Sequence, residues 1–282
     1  HLYFPTRISM MVKASKKNTP IFVHGVGVSK NISPIGKKYF NTIFKHGNLI
    51  GAAVRDPESL ENWNNHFPQH PCSIALDPAL LAKESYTIEA KNKAVNGRTI
   101  VGFGVSNSDN MITHAGTSND IVGTDVDFFL KTITGLVEND CSVKLFSNGD
   151  DQEMLDRIKN NLRSLNQETL QYVSVLERPI VPTDLIKQII EFDMIIAHRL
   201  HANILSYAYK IPSIGLMWDQ KLKSFFKITK RQEFLIEEDS PKLVVETFKK
   251  MRDSEFDSQQ QQNIVGEAEQ AIKDLSNALQ KL

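Results

Sequence analysis

From residue 99 onward, short β-rich apolar runs alternate with segments whose apolar residues return at helical spacing. Residues 99–106 read as a strand carrying Gly102 and Gly104, and Val126, Phe129, Leu130, Ile133, Leu136 and Val137 then share one face of a helix. Further strands are predicted at 142–147, 172–176, 194–197, 212–218 and 234–236. Helices are predicted at 152–165, from Pro182 through Ile190, at 200–209, 220–230 and 242–252, and in a final Gln-rich segment. Pro182 suits a first helical turn, where its missing N–H is no loss. Strands alternating with helices in this way mean βαβ units and a parallel sheet covered on both faces.

Before residue 95 the same grammar is shorter: strands at 20–28, 49–54 and 73–76, and helices at 34–46 and 57–67. Three strands are few for a doubly wound domain, so the N-terminal domain is read as incomplete, lacking its first strands. The polar segment 81–98 reads as an interdomain linker. The expected organisation is a Rossmann-like domain over 1–90, a second over 91–254, and a C-terminal helix over 255–282 packing back on the first. No internal repeat is visible, and the QQQQ tract at 259–262 is too short to form a low-complexity domain.

The composition of the 282 residues narrows the function classes. Lys plus Arg and Asp plus Glu both count 33, which excludes a nucleic-acid binder that relies on a basic surface. With 41% apolar and 23% charged residues the chain is globular. Cys72 and Cys141 show no metal-ligand spacing and read as reduced thiols, consistent with a cytoplasmic protein. No apolar run approaches the roughly 20 residues of a membrane span, and the first 19 residues contain no signal-peptide core.

Ligands of open parallel sheets bind beyond the carboxyl ends of the strands. That rule selects Arg55-Asp56 after one strand, His198-Arg199 after another with His201 in the next helical turn, and Asp219 and Lys221 after a third. Aiming Arg55, Arg199, His201 and Lys221 at one kind of edge suits a small, multiply charged anion carrying phosphate, carboxylate or both. Blander readings stand beside this one. Arg55-Asp56 alone could be a surface or capping pair. His198 and His201 have the spacing of two metal ligands, but no third ligand follows, so no metal site is expected. Gly25/Gly27 and Gly102/Gly104 suggest close backbone approach to a ligand. Neither pair completes G-x-G-x-x-G, because Lys30 and Asn107 stand where a glycine would. His24 could equally be a near-core histidine. Trp63 and Trp218 are read first as packing residues, with a sugar platform as the alternative.

Taken together, these residues resemble the polysaccharide pyruvyl transferases. The resemblance rests on His198-Arg199-Leu200-His201, Ile204, Ala208, Ile211-Pro212 and Trp218-Asp219-Gln220-Lys221. It rests also on Val54-Arg55-Asp56-Pro57-Glu58-Ser59-Leu60, on Asp77-Pro78-Ala79 and on the Gly-Val-Gly of the first strand. The motifs occur in family order over about residues 20–230. Two departures are visible: a further N-terminal βα portion with a Gly-Asp element is not seen, and Trp218 stands at the usual tyrosine. The resemblance implies an α/β fold of two Rossmann-like domains in a GT-B-like arrangement, with parallel sheets. It implies phosphoenolpyruvate as donor and a sugar or lipid-linked oligosaccharide as acceptor, joined in a pyruvate ketal. No cofactor or metal is called for, and any membrane contact would come through the acceptor. On this reading Arg55 and Arg199 bind the donor bidentately, Lys221 meets its phosphate and His201 is the general acid or base. His198, Gly25, Gly27 and Asn107 complete the substrate-binding set.

Overall fold

The computed structural model describes residues 13, 16–17, 19–45, 49–88, 97–107, 111, 121–149 and 151–280. The chain divides into two compact units, one formed by residues up to Pro78 together with Ile264–Leu282, the other by Ala79–Asn263.

In the smaller unit, strands β1 (Ile21–Val26), β2 (Leu49–Val54) and β3 (Ser73–Ile74) form a three-stranded parallel sheet in the order β1-β2-β3. Strand β3 is shorter than the apolar pattern suggests: Ala75 and Leu76 are buried, but they lie beyond the ladder. The helices Pro34–Lys45 and Pro57–His66 supply apolar faces to the sheet; His46, expected in the first of these, lies outside the described residues. The core is largely aromatic. Phe44 lies 4.9 Å from Phe67 and 5.7 Å from Trp63 between ring centroids. The Trp63 indole N–H donates to the His70 carbonyl at 2.8 Å, so the ring is buried without an orphaned donor.

The larger unit contains a six-stranded parallel sheet in the order β6-β5-β4-β7-β8-β9. Its strands are β4 (Thr99–Gly104), β5 (Cys141–Phe146), β6 (Val173–Val175), β7 (Met194–Ala197), β8 (Ser213–Leu216) and β9 (Leu235–Ile236). Strands β4 and β7 are buried almost throughout, as expected of a parallel sheet covered on both faces. One face packs Phe146, Phe192, Ile195 and Ala197 against the helices Pro182–Ile189 and Leu200–Ala208. On the other, the Phe103 ring lies 5.0 Å from that of Phe129 in the helix Val126–Val137. Several helices begin at side-chain caps: Asp125 accepts from the Phe128 N–H and Asp219 from the Leu222 N–H.

The order 3-2-1-4-5-6 of this sheet places its first strand, β4, beside its fourth, β7. Connections leave that pair in opposite directions, which opens a crevice beyond their carboxyl ends. The α/β class and the parallel sheets expected from the sequence are therefore present. The polar segment read as a linker differs in part. Ala82 and Ile88 pack with the larger unit's core, and the Tyr209 hydroxyl donates to the carbonyls of Ala82 and Tyr86. These apolar contacts attach the start of the segment to the larger unit; residues 89–96 lie outside the described residues.

Removing the Trp63 ring deletes the largest side chain of the smaller unit's core, which is only 2% exposed. Trp63→Ala is expected to destabilise that unit by about 3–5 kcal/mol. Urea unfolding followed by circular dichroism checks this; an unshifted first transition would contradict it.

Candidate functional site

In the smaller unit, Arg55 follows β2 and its Nε donates to Asp56 Oδ2 at 3.1 Å. Asp56 is buried and has a second task. Its other carboxylate oxygen accepts from the Ser59 N–H at 2.7 Å and so caps the helix Pro57–His66. That helix in turn pins the end of the first strand. The Val28 N–H donates to Ser59 Oγ at 3.0 Å, and Asn62 Nδ2 donates to the Val28 carbonyl at 2.9 Å. The Arg-Asp-Pro-Glu-Ser element is thus a cap and a clasp that hold Arg55 against the Gly-Val-Gly loop. A Cβ on Gly27 would lie 2.5 Å from the Arg55 guanidinium, so a side chain there would displace the arginine from this position. Gly25 has φ of +62° and serves the turn, with Pro78 rather than Arg55 beside it. His24 is half-buried, and its ring nitrogens find no hydrogen-bond partner among the described residues; burial lowers its pKa.

In the larger unit, the ends of β4, β5 and β7 converge on one carboxylate. Asp151 is fully buried and accepts from Arg199 Nε at 3.1 Å and from Arg199 Nη2 in a second, short bond. Its Oδ1 also accepts from the Asn107 backbone N–H at 2.9 Å. Arg199 is therefore clamped side-on by a bidentate pair through Nε and Nη2, which leaves Nη1 and one Nη2 hydrogen outside the clamp. Gly149 makes room for the clamp, since a Cβ there would sit 2.6 Å from both Arg199 Nη2 and Asp151 Oδ2. Trp218 stands beside it: the Arg199 guanidinium carbon is 6.0 Å from the indole centroid, and Trp218 Nε1 donates to the His198 carbonyl at 2.9 Å.

His201 and Lys221 occupy exposed first-turn positions of the helices Leu200–Ala208 and Gln220–Ile228, which follow β7 and β8. The structure thus brings Asn107, Arg199, His201 and Lys221 to one edge of the larger unit, and Arg55 and Gly27 to the corresponding edge of the smaller. Among the described residues no group of three or more His, Cys, Asp or Glu could hold a metal ion.

Two sequence expectations change. His198, read as a substrate contact, is completely buried and faces inward. Its Nε2 lies 2.7 Å from the Val122 carbonyl and its ring 6.2 Å from that of Phe129. It anchors the segment before the helix Val126–Val137 and offers no surface to a substrate. The cause is strand alternation: consecutive residues at the end of β7 point to opposite sides. Asp151 carries no distinct signal in the sequence. It lies just past a strand end, where the same rule applies, but an Asn-Gly-Asp-Asp run reads equally well as a solvated turn.

Burial pushes the His198 imidazole down to about 4, with the nearby Arg199 charge acting in the same direction. Above about pH 6.5 the ring is neutral in both folded and unfolded chains. Between 6.5 and about 4 the unfolded chain takes up a proton that the folded protein resists, so stability falls as pH falls. The expected loss is about 3 kcal/mol once pH reaches the folded value. Urea midpoints at a series of pH values, compared with His198→Gln, check this; an equal slope in the variant would refute the assignment.

With the geometry in place, solved structures give the fold a context. Neisseria meningitidis UDP-GlcNAc 2-epimerase bound to UDP-GlcNAc superposes with a TM-score of 0.63 at 11% identity, over 98% of this chain and 73% of that one. The S. aureus MnaA–UDP structure gives 0.58 at 10%, over 93% of this chain and 66% of that one. S. aureus TarM gives 0.53 at 15%, over 93% and 50%. The chain spans about two thirds of the length of the first two and half of the third. At such identities the likeness is one of fold: parallel α/β sheets shared with glycosyltransferases and epimerases. A search of curated proteins finds no match. The sequence does match a family profile, described as polysaccharide pyruvyl transferase, over residues 1–220. That span takes in Arg55, Asp151, Arg199 and His201, and the chain belongs to the polysaccharide pyruvyl transferase family.

Proposed function

We propose that this protein transfers the enolpyruvate-derived group of phosphoenolpyruvate onto two hydroxyls of a sugar in a cell-surface polysaccharide precursor, forming a pyruvate ketal and releasing phosphate. The observation that carries the proposal is the clamped guanidinium of Arg199 at the β4/β7 crevice, in a chain of this family. A planar donor end held rigid by a buried carboxylate suits a carboxylate or phosphate oxygen pair.

The donor carries both groups on one carbon. Arg199 takes the carboxylate or the phosphate through Nη1 and Nη2, and Lys221 supplies a point charge to the phosphate. Arg55 is the second arginine assigned to the donor, on the strength of the family resemblance. Each charge-assisted contact is worth about 1.5–3 kcal/mol. In the reaction, a proton adds to the methylene carbon and a sugar hydroxyl bonds to the adjacent carbon while losing its own proton. The carbon–oxygen bond to phosphate then breaks, and the second hydroxyl closes the ketal with loss of its proton. One proton is consumed and two are released, the second leaving with phosphate. His201, exposed and two residues after Arg199, is the group assigned to these transfers, because imidazole is a general acid–base group. No metal-dependent step is needed to balance the reaction.

The alternative reading, nucleotide-sugar transfer on the same fold, gives no special role to the Arg-Asp-Pro-Glu-Ser element. Glu177, the nearest candidate for a ribose-binding acid in the larger unit, lies beyond the edge strand β6, two strands from β4.

Phosphate release from phosphoenolpyruvate, with galactosyl and N-acetylmannosaminyl acceptors and product ketals identified by NMR, tests the proposal. Arg199→Lys is expected to weaken donor binding by about tenfold or more, since an ammonium cannot reproduce the clamp or the fork. His201→Ala is expected to lose about 100-fold or more in turnover with little change in donor affinity. Near-wild-type release in both variants would sink the residue assignments. Protection of the protein by UDP or CMP, but not by phosphoenolpyruvate, would sink the reaction class.

A further inference from the structure

Trp218 has a place in the site that the ionic scheme does not use. It follows β8 and is half-buried, directly before the helix that Asp219 caps. The ring's one polar atom, Nε1, is already satisfied by the His198 carbonyl at 2.9 Å, so the indole has only apolar surface to offer a ligand. His198 is itself fixed in the core through Val122, so the indole is held on a rigid support. Its centroid lies 6.0 Å from the guanidinium carbon of Arg199. The other tryptophan, Trp63, is 2% exposed and belongs to the smaller unit's core.

We propose that Trp218 is the platform on which the acceptor sugar stacks, a specificity-determining residue for the acceptor rather than for the donor. This rests on the proposed transfer and deepens it. Phosphoenolpyruvate is small and nearly all charge, with little apolar area to cover an indole. A pyranose presents a face of C–H groups, which matches an aromatic ring in size and polarity. The separation of 6.0 Å also fits the chemistry. A donor held by the Arg199 fork and a sugar resting on the neighbouring indole would lie side by side, as a reaction that needs its carbon and hydroxyl roughly 3–3.5 Å apart requires.

Two measurements test the platform. In steady-state phosphate release, Trp218→Ala is expected to raise the acceptor KM about tenfold while the donor KM stays within about twofold. Trp218→Phe, which keeps an aromatic face but loses the bond to His198, should recover most of the acceptor affinity. An unchanged acceptor KM in Trp218→Ala, or a change confined to the donor KM, overturns the platform. If the wild-type protein releases no phosphate with any acceptor, the transfer reaction fails, and fluorescence decides the platform separately. The emission difference between wild type and Trp218→Phe isolates Trp218, and the buried Trp63 reports that the variant is folded. Titration with the methyl glycosides of galactose, glucose and N-acetylmannosamine should change the Trp218 signal. A response to UDP alone, or to no compound, overturns the platform whatever the turnover.

Discussion

The larger unit's site depends on one buried carboxylate. Asp151 is withdrawn from water, which would be prohibitive for an isolated charge, and is stabilised by two N–H groups of Arg199 and by the Asn107 backbone. These partners come from the ends of three neighbouring strands, β4, β5 and β7. Satisfying the carboxylate therefore fixes the distances between the strand ends, and the position of the guanidinium becomes a property of the fold. An arginine tethered only by its own side-chain torsions would be disordered at a crevice, and ordering it would be charged against ligand binding.

The smaller unit solves the same problem with different parts. Arg55 is held by the adjacent Asp56, and Asp56 is oriented by the Ser59 N–H, so helix capping and arginine positioning share one side chain. The clasp through Ser59 and Asn62 then ties the arginine's support to the end of β1. In both units a glycine lets the guanidinium approach the backbone: Gly27 for Arg55 and Gly149 for Arg199. Each sheet thus ends in an aspartate-held arginine, one local and one assembled from residues 48 positions apart.

That contrast explains what could be read from the sequence. The alternation of strands and helices is legible because periodicity is local, and the strand-end rule picks out Arg55, Arg199 and Lys221, which the structure places after the carboxyl ends of β2, β7 and β8. The capping reading of Arg55-Asp56 and the functional reading are not rivals: the cap is the means by which the arginine is placed. The partnership of Asp151 with Arg199 is not legible, because it requires knowing that β5 and β7 flank β4. Strand order is set by packing across the whole sheet and leaves no mark in any short window. The inward placement of His198 escapes the sequence for a smaller reason. The rule for strand ends says which residues are near a ligand, whereas alternation decides which way each one points. The polar segment after Leu81 shows the same limit, since its few apolar residues, Ala82 and Ile88, are enough to dock it.

The charge balance acquires a different meaning once the pairs are known. Counting Arg55, Arg199, His201 and Lys221 suggests a strongly cationic edge, yet both arginines carry a carboxylate in direct contact. Much of their field is cancelled at distances beyond a few ångströms, so neither attracts anions from afar as a bare cation would. What they retain is directional: N–H groups in a plane, fixed against a rigid support. The long-range pull falls to the exposed Lys221 and to the amino ends of the helices carrying His201 and Lys221, whose dipoles favour negative charge within about a turn. Discrimination at such a site comes from matching donor geometry rather than from total charge. A ligand that presents planar oxygen pairs at fixed separation gains the full set of contacts, while a diffuse anion of equal charge gains few. Selectivity of this kind comes from the placement of a few paired groups, so a chain of zero net charge can build it.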